Sequence, residues 1–122
     1  MGRSVGQFFL PGRSPSEIVN AANAFAAARG MKVVQAEPGS VVFAKGSKFW
    51  TWRRVLHVGA TQVPGGTHVL VEAWAETLMI PELNANPTEF LGLVPRRSVN
   101  ALASDLLTSL GIHGGQAVFQ HY

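Results

Sequence analysis

The chain contains no cysteine among its 122 residues, and this absence excludes several kinds of site at once. Without thiols there is no disulfide framework, no thiolate metal site and no cysteine nucleophile. Residues 1–10 hold no apolar run of signal-peptide length. No apolar run reaches the roughly 18 residues that a membrane-spanning helix needs. We therefore expect a cytoplasmic protein that does not span a membrane.

Charge is also scarce. Charged residues make up 14% of the chain and apolar residues 47%, whereas soluble domains carry about 25% charge. A chain this poor in charge is expected to hide more of its surface than a monomer does, which is a first indication of self-association. The net charge of +3 is small, and the only basic pairs are Arg53-Arg54 and Arg96-Arg97. Proteins that bind nucleic acids usually cluster more Lys and Arg than this.

Sequence patterns of known catalytic sites are missing as well. There is no Gly-x-Ser-x-Gly or Ser-x-x-Lys nucleophile motif, and the four histidines show no His-x-His or His-x-x-His spacing. Two of them, His57 and His68, fall on partnered strands. An enzyme would need one of these two to converge with Glu72 or Glu76 around a concave pocket. We predict no catalytic residue, no metal and no cofactor.

Apolar periodicity and turn residues predict two helices and five strands within one domain, residues 1–122. The first helix is the best marked, because Ser14 can serve as its N-cap, with Pro15 next and Glu17 completing a capping box. Gly30 is placed to end it. One face of this helix carries Ile18, Ala22, Phe25 and Ala26. The strands are predicted at residues 5–10, 31–37, 40–45, 49–62 and 67–79, and the second helix at residues 96–110.

Two segments lie outside these elements: a long connecting loop at residues 81–95 and a tail at residues 112–122 that is either frayed or a short edge strand. The order β-α-β-β-β-β-α predicts an α+β fold in which one antiparallel sheet carries both helices on one face. This order resembles a half-repeat of the TATA-binding-protein-like fold and overlaps the helix-grip order of small ligand-binding domains. The resemblance covers roughly residues 4–110 and concerns topology only, so it implies no functional residue.

The last two strands form the best-marked hairpin, turned by Pro64-Gly65-Gly66. If the turn centres on Gly65, facing residue numbers sum to about 130, which places Arg54 opposite Glu76 and Leu56 opposite Trp74. Since side chains alternate along a strand, one face then carries large aromatic residues and the other carries small residues that suit an Ala-rich helix. The aromatic face is the predicted binding surface, formed by Trp50, Trp52, Arg54, Leu56, Glu72, Trp74 and Glu76. A register one residue different would invert the faces and place the tryptophans in the core.

An apolar patch of this size is expected to be covered by another molecule. The first hypothesis is a small non-enzymatic binding or interaction domain, a homodimer through its sheet or its long loop, that binds a protein or a small apolar ligand. The alternative is a nucleic-acid-binding protein whose tryptophans stack on bases. Its phosphate contacts would come from Lys45, Lys48, Arg53 and Arg54. The carboxylates of Glu72 and Glu76 oppose that alternative. A second alternative is an enzyme with a His/Glu site on the sheet.

Overall fold

The computed structural model describes residues 4–46, 53–76, 93–112 and 119–121, with side chains described for residues 4–46, 53–76 and 101–112. Eight elements occur within these ranges. In chain order they are β1 (Ser4–Pro11), α1 (Pro15–Ala28), β2 (Lys32–Glu37), β3 (Ser40–Lys45), β4 (Arg53–Val63), β5 (Gly66–Glu76), α2 (Leu93–Ser109) and β6 (Phe119–His121). Neither described helix is long and apolar enough to cross a membrane.

The strands form one antiparallel sheet in the order β2-β3-β4-β5-β1-β6, and both helices pack on the same face of it. The predicted α+β class and antiparallel sheet are confirmed. The sixth strand comes from the tail, where residues 119–121 pair with the first three residues of β1. Of the two alternatives for the tail, the structure contains the short edge strand.

Helix α1 begins as its sequence predicts. Ser14 adopts an extended backbone conformation, and its hydroxyl accepts a hydrogen bond from the Glu17 amide at 3.3 Å. This bond satisfies one of the amide donors that a helix start leaves free. The four residues predicted for the apolar face of this helix are all buried, and Gly30 follows its end with a φ of 69°.

Two boundaries near the second helix differ from the prediction. Helix α2 begins at Leu93, so residues 93–95 are not part of the predicted loop, whose remaining residues 81–92 lie outside the described part of the chain. Pro95 is tolerated there because the first turn of a helix has no intrahelical partner for its amides. Ile112 is not part of a tail, because its side chain is buried in the core and its amide donates to the Leu107 carbonyl at 2.8 Å.

The turn between β4 and β5 contains two residues rather than three. Pro64 and Gly65 form it, Gly65 has a φ of 84°, and Val63 pairs directly with Gly66. A proline followed by a residue of positive φ is a favoured two-residue turn, so Gly66 belongs to the strand. The register of the hairpin is therefore one residue different from the prediction.

This shift changes every pair of the hairpin. The predicted pairs, Arg54 with Glu76 and Leu56 with Trp74, are wrong. The structure pairs β4 with β5 at Arg53–Glu76, Val55–Trp74 and His57–Glu72. Because side chains alternate, the β4 half of the predicted surface is inverted, whereas the β5 half is not. Leu56 accordingly lies among the core residues beneath the helices and is 0% exposed.

Gly66 offers a test of how closely β5 packs against β1. In Gly66→Ala the added methyl would fall against the Leu10 carbonyl oxygen and lie 2.8 Å from the Cα of Pro11. We expect the free energy of unfolding, measured by urea denaturation, to fall by about 1–3 kcal/mol, as overpacking does. In the control Gly59→Ala, the methyl meets only the Leu70 Cβ at 3.8 Å, so stability should change by less than about 0.5 kcal/mol or rise slightly. Equal losses in the two variants would contradict this packing of β1 against β5.

Candidate functional site

The candidate site lies on the face of the sheet opposite α1 and α2, which we call the helix-free face. Each strand contributes every second side chain to it. Its central members are Ser40, Val42, Ala44, Arg53, Val55, His57, Leu70, Glu72, Trp74 and Glu76. None of them belongs to the core cluster that includes the helices.

Trp74 anchors a small apolar cluster on this face. It is only 7% exposed and packs with Ala44, Val55 and the half-buried Val42. Its indole Nε1 donates to Glu76 Oε2 at 3.1 Å. The polar end of a buried tryptophan usually needs such a partner.

The same Glu76 carboxylate also accepts from Arg53 Nη1 at 3.3 Å. Arg53 and Glu76 are directly opposite in the hairpin, and both side chains are partly buried. The guanidinium therefore holds the carboxylate in the orientation that Trp74 needs, because one carboxylate can accept several hydrogen bonds.

The predicted binding residues divide between three places. Glu72, Trp74 and Glu76 lie on the helix-free face as expected. Arg54 and Leu56 belong to the opposite face, and Arg53 takes the position beside Glu76 that was predicted for Arg54. Trp50 and Trp52 lie outside the described residues.

The cations of the nucleic-acid alternative do not share one surface. Arg53 is on the helix-free face, whereas the paired residues Lys45 and Arg54 belong to the other face. Lys45 Nζ donates to the Arg29 carbonyl at 2.6 Å. Lys48 lies outside the described residues. The carboxylates of Glu72 and Glu76 remain on the face with Trp74, where they would repel phosphate.

A polar row crosses three strands next to the tryptophan cluster. Ser40 Oγ and His57 Nε2 are 2.8 Å apart, and His57 Nδ1 lies 3.7 Å from Glu72 Oε2. The histidine and the carboxylate are 23% and 20% exposed, so both are partly withdrawn from water. Among the described residues, His57 and Glu72 are the histidine and glutamate that the hairpin brings face to face.

Ser40 was not among the predicted site residues. His57 and Glu72 face each other across the β4–β5 hairpin, so a two-residue turn at Pro64-Gly65 would have brought them together from sequence. Ser40 is placed by the β3–β4 pairing, in which it stands opposite Gly59 and diagonal to His57. The Gly46-Ser47 turn that the sequence predicts between these strands does not by itself set their register.

These groups border a shallow depression of about 390 Å³. Its lining residues are Gln35, Glu37, Ser40, Val42, His57 and Trp74. The Gln35 side-chain amide donates to Glu37 Oε1 at 3.1 Å. The depression thus combines the apolar side chains of Val42 and Trp74 with four polar side chains. Within the residues that the structure describes, no three His, Asp or Glu side chains form a possible metal site.

No protein-family model matches the chain, and no curated protein matches its sequence. What the site can do therefore follows from its geometry and its chemistry.

The shared role of Glu76 leads to a testable expectation. Glu76→Gln removes the charge that Arg53 and Trp74 both contact, so the free energy of unfolding should fall by about 1 kcal/mol. The indole N–H resonance of Trp74 should move in the same variant. Asp105→Asn is the control, because that exposed carboxylate contacts the exposed Arg29 side chain in a surface ion pair and its loss should change stability by less than about 0.5 kcal/mol. Equal effects of the two changes would contradict the assigned role of Glu76.

Proposed function

We propose that the protein is a small binding domain that holds a small, partly apolar ligand in the depression of its helix-free face. The observation that carries this proposal is the composition of the depression, where Trp74 and Val42 stand beside Ser40, His57 and Gln35. Ligand sites are concave and combine apolar side chains with polar groups that fix orientation. Four of the six lining residues are polar here, which favours a ligand with several hydrogen-bonding groups. A volume of about 390 Å³ falls within the usual range of about 300–1,000 Å³.

The charges around the depression favour a neutral or cationic ligand. Glu37 lines it directly, and Glu72 and Glu76 lie on the same face. The cations on the described part of this face are Lys32 and Arg53, and Arg53 is paired with Glu76. An anionic ligand would meet more carboxylates than cations, which also weighs against phosphate backbones.

A matched pair of valines tests the proposal. Val42 and Val5 are both half-buried on the helix-free face. Val42 pairs with His57, whereas Val5 pairs with Glu72 on the far side of the hairpin. A library of neutral and cationic fragments is screened by ¹⁵N chemical shifts. Binders should move the amides of residues 40, 42 and 57. Val42→Phe should abolish these shifts by filling the depression, whereas Val5→Phe should leave them intact.

Three outcomes would contradict this. The first is that no fragment moves any amide, and the second is that the fragments move the amides of residues 7–10 and 111–112, which line a different depression. Equal loss of binding in both valine variants would also contradict it. Circular dichroism and the urea midpoint of each variant show whether the fold survives the substitution.

We also infer that two copies of the chain associate through strand β2. Among the described strands β2 is an edge of the sheet, and all six of its residues are exposed, including Val33 at 53% and Val34 at 49%. An exposed edge strand with apolar residues is a template for pairing with another strand. The face-to-face dimer through a tryptophan patch has less support, since Trp74 and Leu56 are buried.

The charges of β2 complement those of a second copy. Lys32 pairs with Ala44 and Glu37 with Ser40, so both charges belong to the helix-free face despite the bulge between Val33 and Gln35. The bulge makes Val34 an extra residue, so Lys32 and Glu37 each lie two pairing positions from Gln35. In an antiparallel pair of β2 strands with its two-fold axis at Gln35, Lys32 of one copy therefore faces Glu37 of the other. Opposite charges in facing positions stabilise a strand pair, and like charges destabilise it.

Charge reversal tests this pairing. Lys32→Glu or Glu37→Lys places like charges in both facing pairs, so the dimer dissociation constant should rise by about tenfold or more. The double variant restores opposite charges and should restore the dimer. Mass by light scattering over a concentration series measures this against twice the chain mass of 13.1 kDa. A wild-type monomer at every concentration, or a double variant as weak as the single ones, would contradict the interface.

A further inference from the structure

We propose that Ser40, His57 and Glu72 form an acyl-transfer relay and that the ligand of the depression is a carboxylic ester. This inference rests on the proposed function, because it uses the same depression as the substrate site. It deepens that function by assigning a substrate class and a reaction to the polar row.

The order of the three groups is the one that acyl transfer requires. A hydroxyl nucleophile must contact one imidazole nitrogen, and a carboxylate must hold the other. Ser40 Oγ is 2.8 Å from Nε2 of His57, which is hydrogen-bond distance. Glu72 Oε2 is 3.7 Å from Nδ1. Such contacts are often longer without a bound substrate and shorten when one binds.

The sheet places the three groups rigidly. Ser40 is the first residue of β3, directly after the Pro38-Gly39 turn, and its side chain lines the depression. His57 lies on β4 between two paired strands, and Glu72 is its direct partner on β5. Reacting groups on strands keep their geometry better than groups on loops.

The depression supplies the surroundings of the reaction. Val42 and Trp74 give the acyl or alcohol group of an ester an apolar wall. Gln35 Nε2 carries two N–H groups, one of which donates to Glu37. We assign the other to the oxygen of the ester carbonyl, where negative charge develops during the reaction.

The reaction balances with water as the only co-reactant. Ser40 Oγ forms a bond to the ester carbonyl carbon while its proton passes to His57 Nε2. The bond from that carbon to the alcohol oxygen then breaks, and the alcohol leaves with the proton from His57. Water then attacks the acyl carbon and gives a proton to His57. The bond from that carbon to Ser40 Oγ breaks, the acid leaves, and Ser40 regains its proton from His57. Glu72 is a positioning residue, which orients the imidazole and stabilises its protonated form.

Covalent labelling tests the nucleophile directly. The wild-type chain is incubated with a fluorophosphonate, which phosphonylates activated serines, and the modified residue is mapped by mass spectrometry. The label is expected on Ser40 and is expected to disappear in Ser40→Ala and in His57→Gln. Ser104→Ala, which removes an exposed serine of α2, should keep it. No label on Ser40 of the folded wild-type protein overturns the proposal.

Hydrolysis of p-nitrophenyl acetate tests the relay. Since a single side-chain amide serves the oxyanion, we expect slow turnover, reduced at least about tenfold in kcat by Ser40→Ala or His57→Gln. Glu72→Gln should lower kcat with KM nearly unchanged, and Glu72→Asp should recover part of the loss. His68→Gln is the control for hydrolysis by any imidazole and should have no effect. Equal loss in His57→Gln and His68→Gln overturns the proposal.

The two proposals fail in different ways. One outcome is that fragments bind the wild-type depression and fail to bind Val42→Phe while Ser40 stays unlabelled. That result would support the binding domain and overturn only the relay. Label on Ser40 that Val42→Phe abolishes and Val5→Phe preserves supports both.

Discussion

The register of the β4–β5 hairpin is the constraint on which the rest of the molecule depends. It is set by the two-residue turn at Pro64-Gly65, which pairs Val63 directly with Gly66. A slip of one residue would carry the fully buried Leu56 and Val58 to the helix-free face. Each would lose about 1.5–3 kcal/mol of burial, a large share of a small domain's total stability. The same slip would place the polar side chains of His57 and Arg53 beneath the helices. Burying a polar side chain without a hydrogen-bond partner costs free energy.

The core beneath the helices holds the register. The polar side chains of the helix-free face are therefore positioned by the sheet, whatever each of them contributes to stability. Glu76 joins Arg53 to Trp74, and Glu72 faces His57. Both carboxylates are therefore fixed by strand β5, on which each lies two residues from Trp74. The apolar cluster at Trp74 separates two polar sets of different chemistry. One contains a permanent cation, and the other contains a hydroxyl and an imidazole that can exchange a proton.

Local signals in the sequence predicted the elements well and their relative placement less well. The capping box at Ser14 and the bounds of β3 agree with the structure, because both depend on neighbouring residues. The hairpin register failed because Gly66 was assigned to the turn, although Pro64 and Gly65 suffice for it. Ile112 was missed because a single apolar residue after a helix-ending glycine shows no periodicity. Ser40 was missed, since its contact with His57 depends on the β3–β4 register, which the predicted turn at Gly46-Ser47 does not fix.

Stability alone does not account for the row of Ser40, His57 and Glu72. A hydrogen bond between partly exposed side chains contributes about 0.5–1.5 kcal/mol, and an exposed ion pair contributes still less. Aromatic and β-branched pairs in the same cross-strand positions would contribute a similar amount. The fold thus gains little from a nucleophile, a proton acceptor and a carboxylate at these three positions. What distinguishes the row from the packing around it is that a hydroxyl, an imidazole and a carboxylate stand in sequence beside a depression of ligand size, and the proposed relay would give this arrangement a use that an apolar pair lacks.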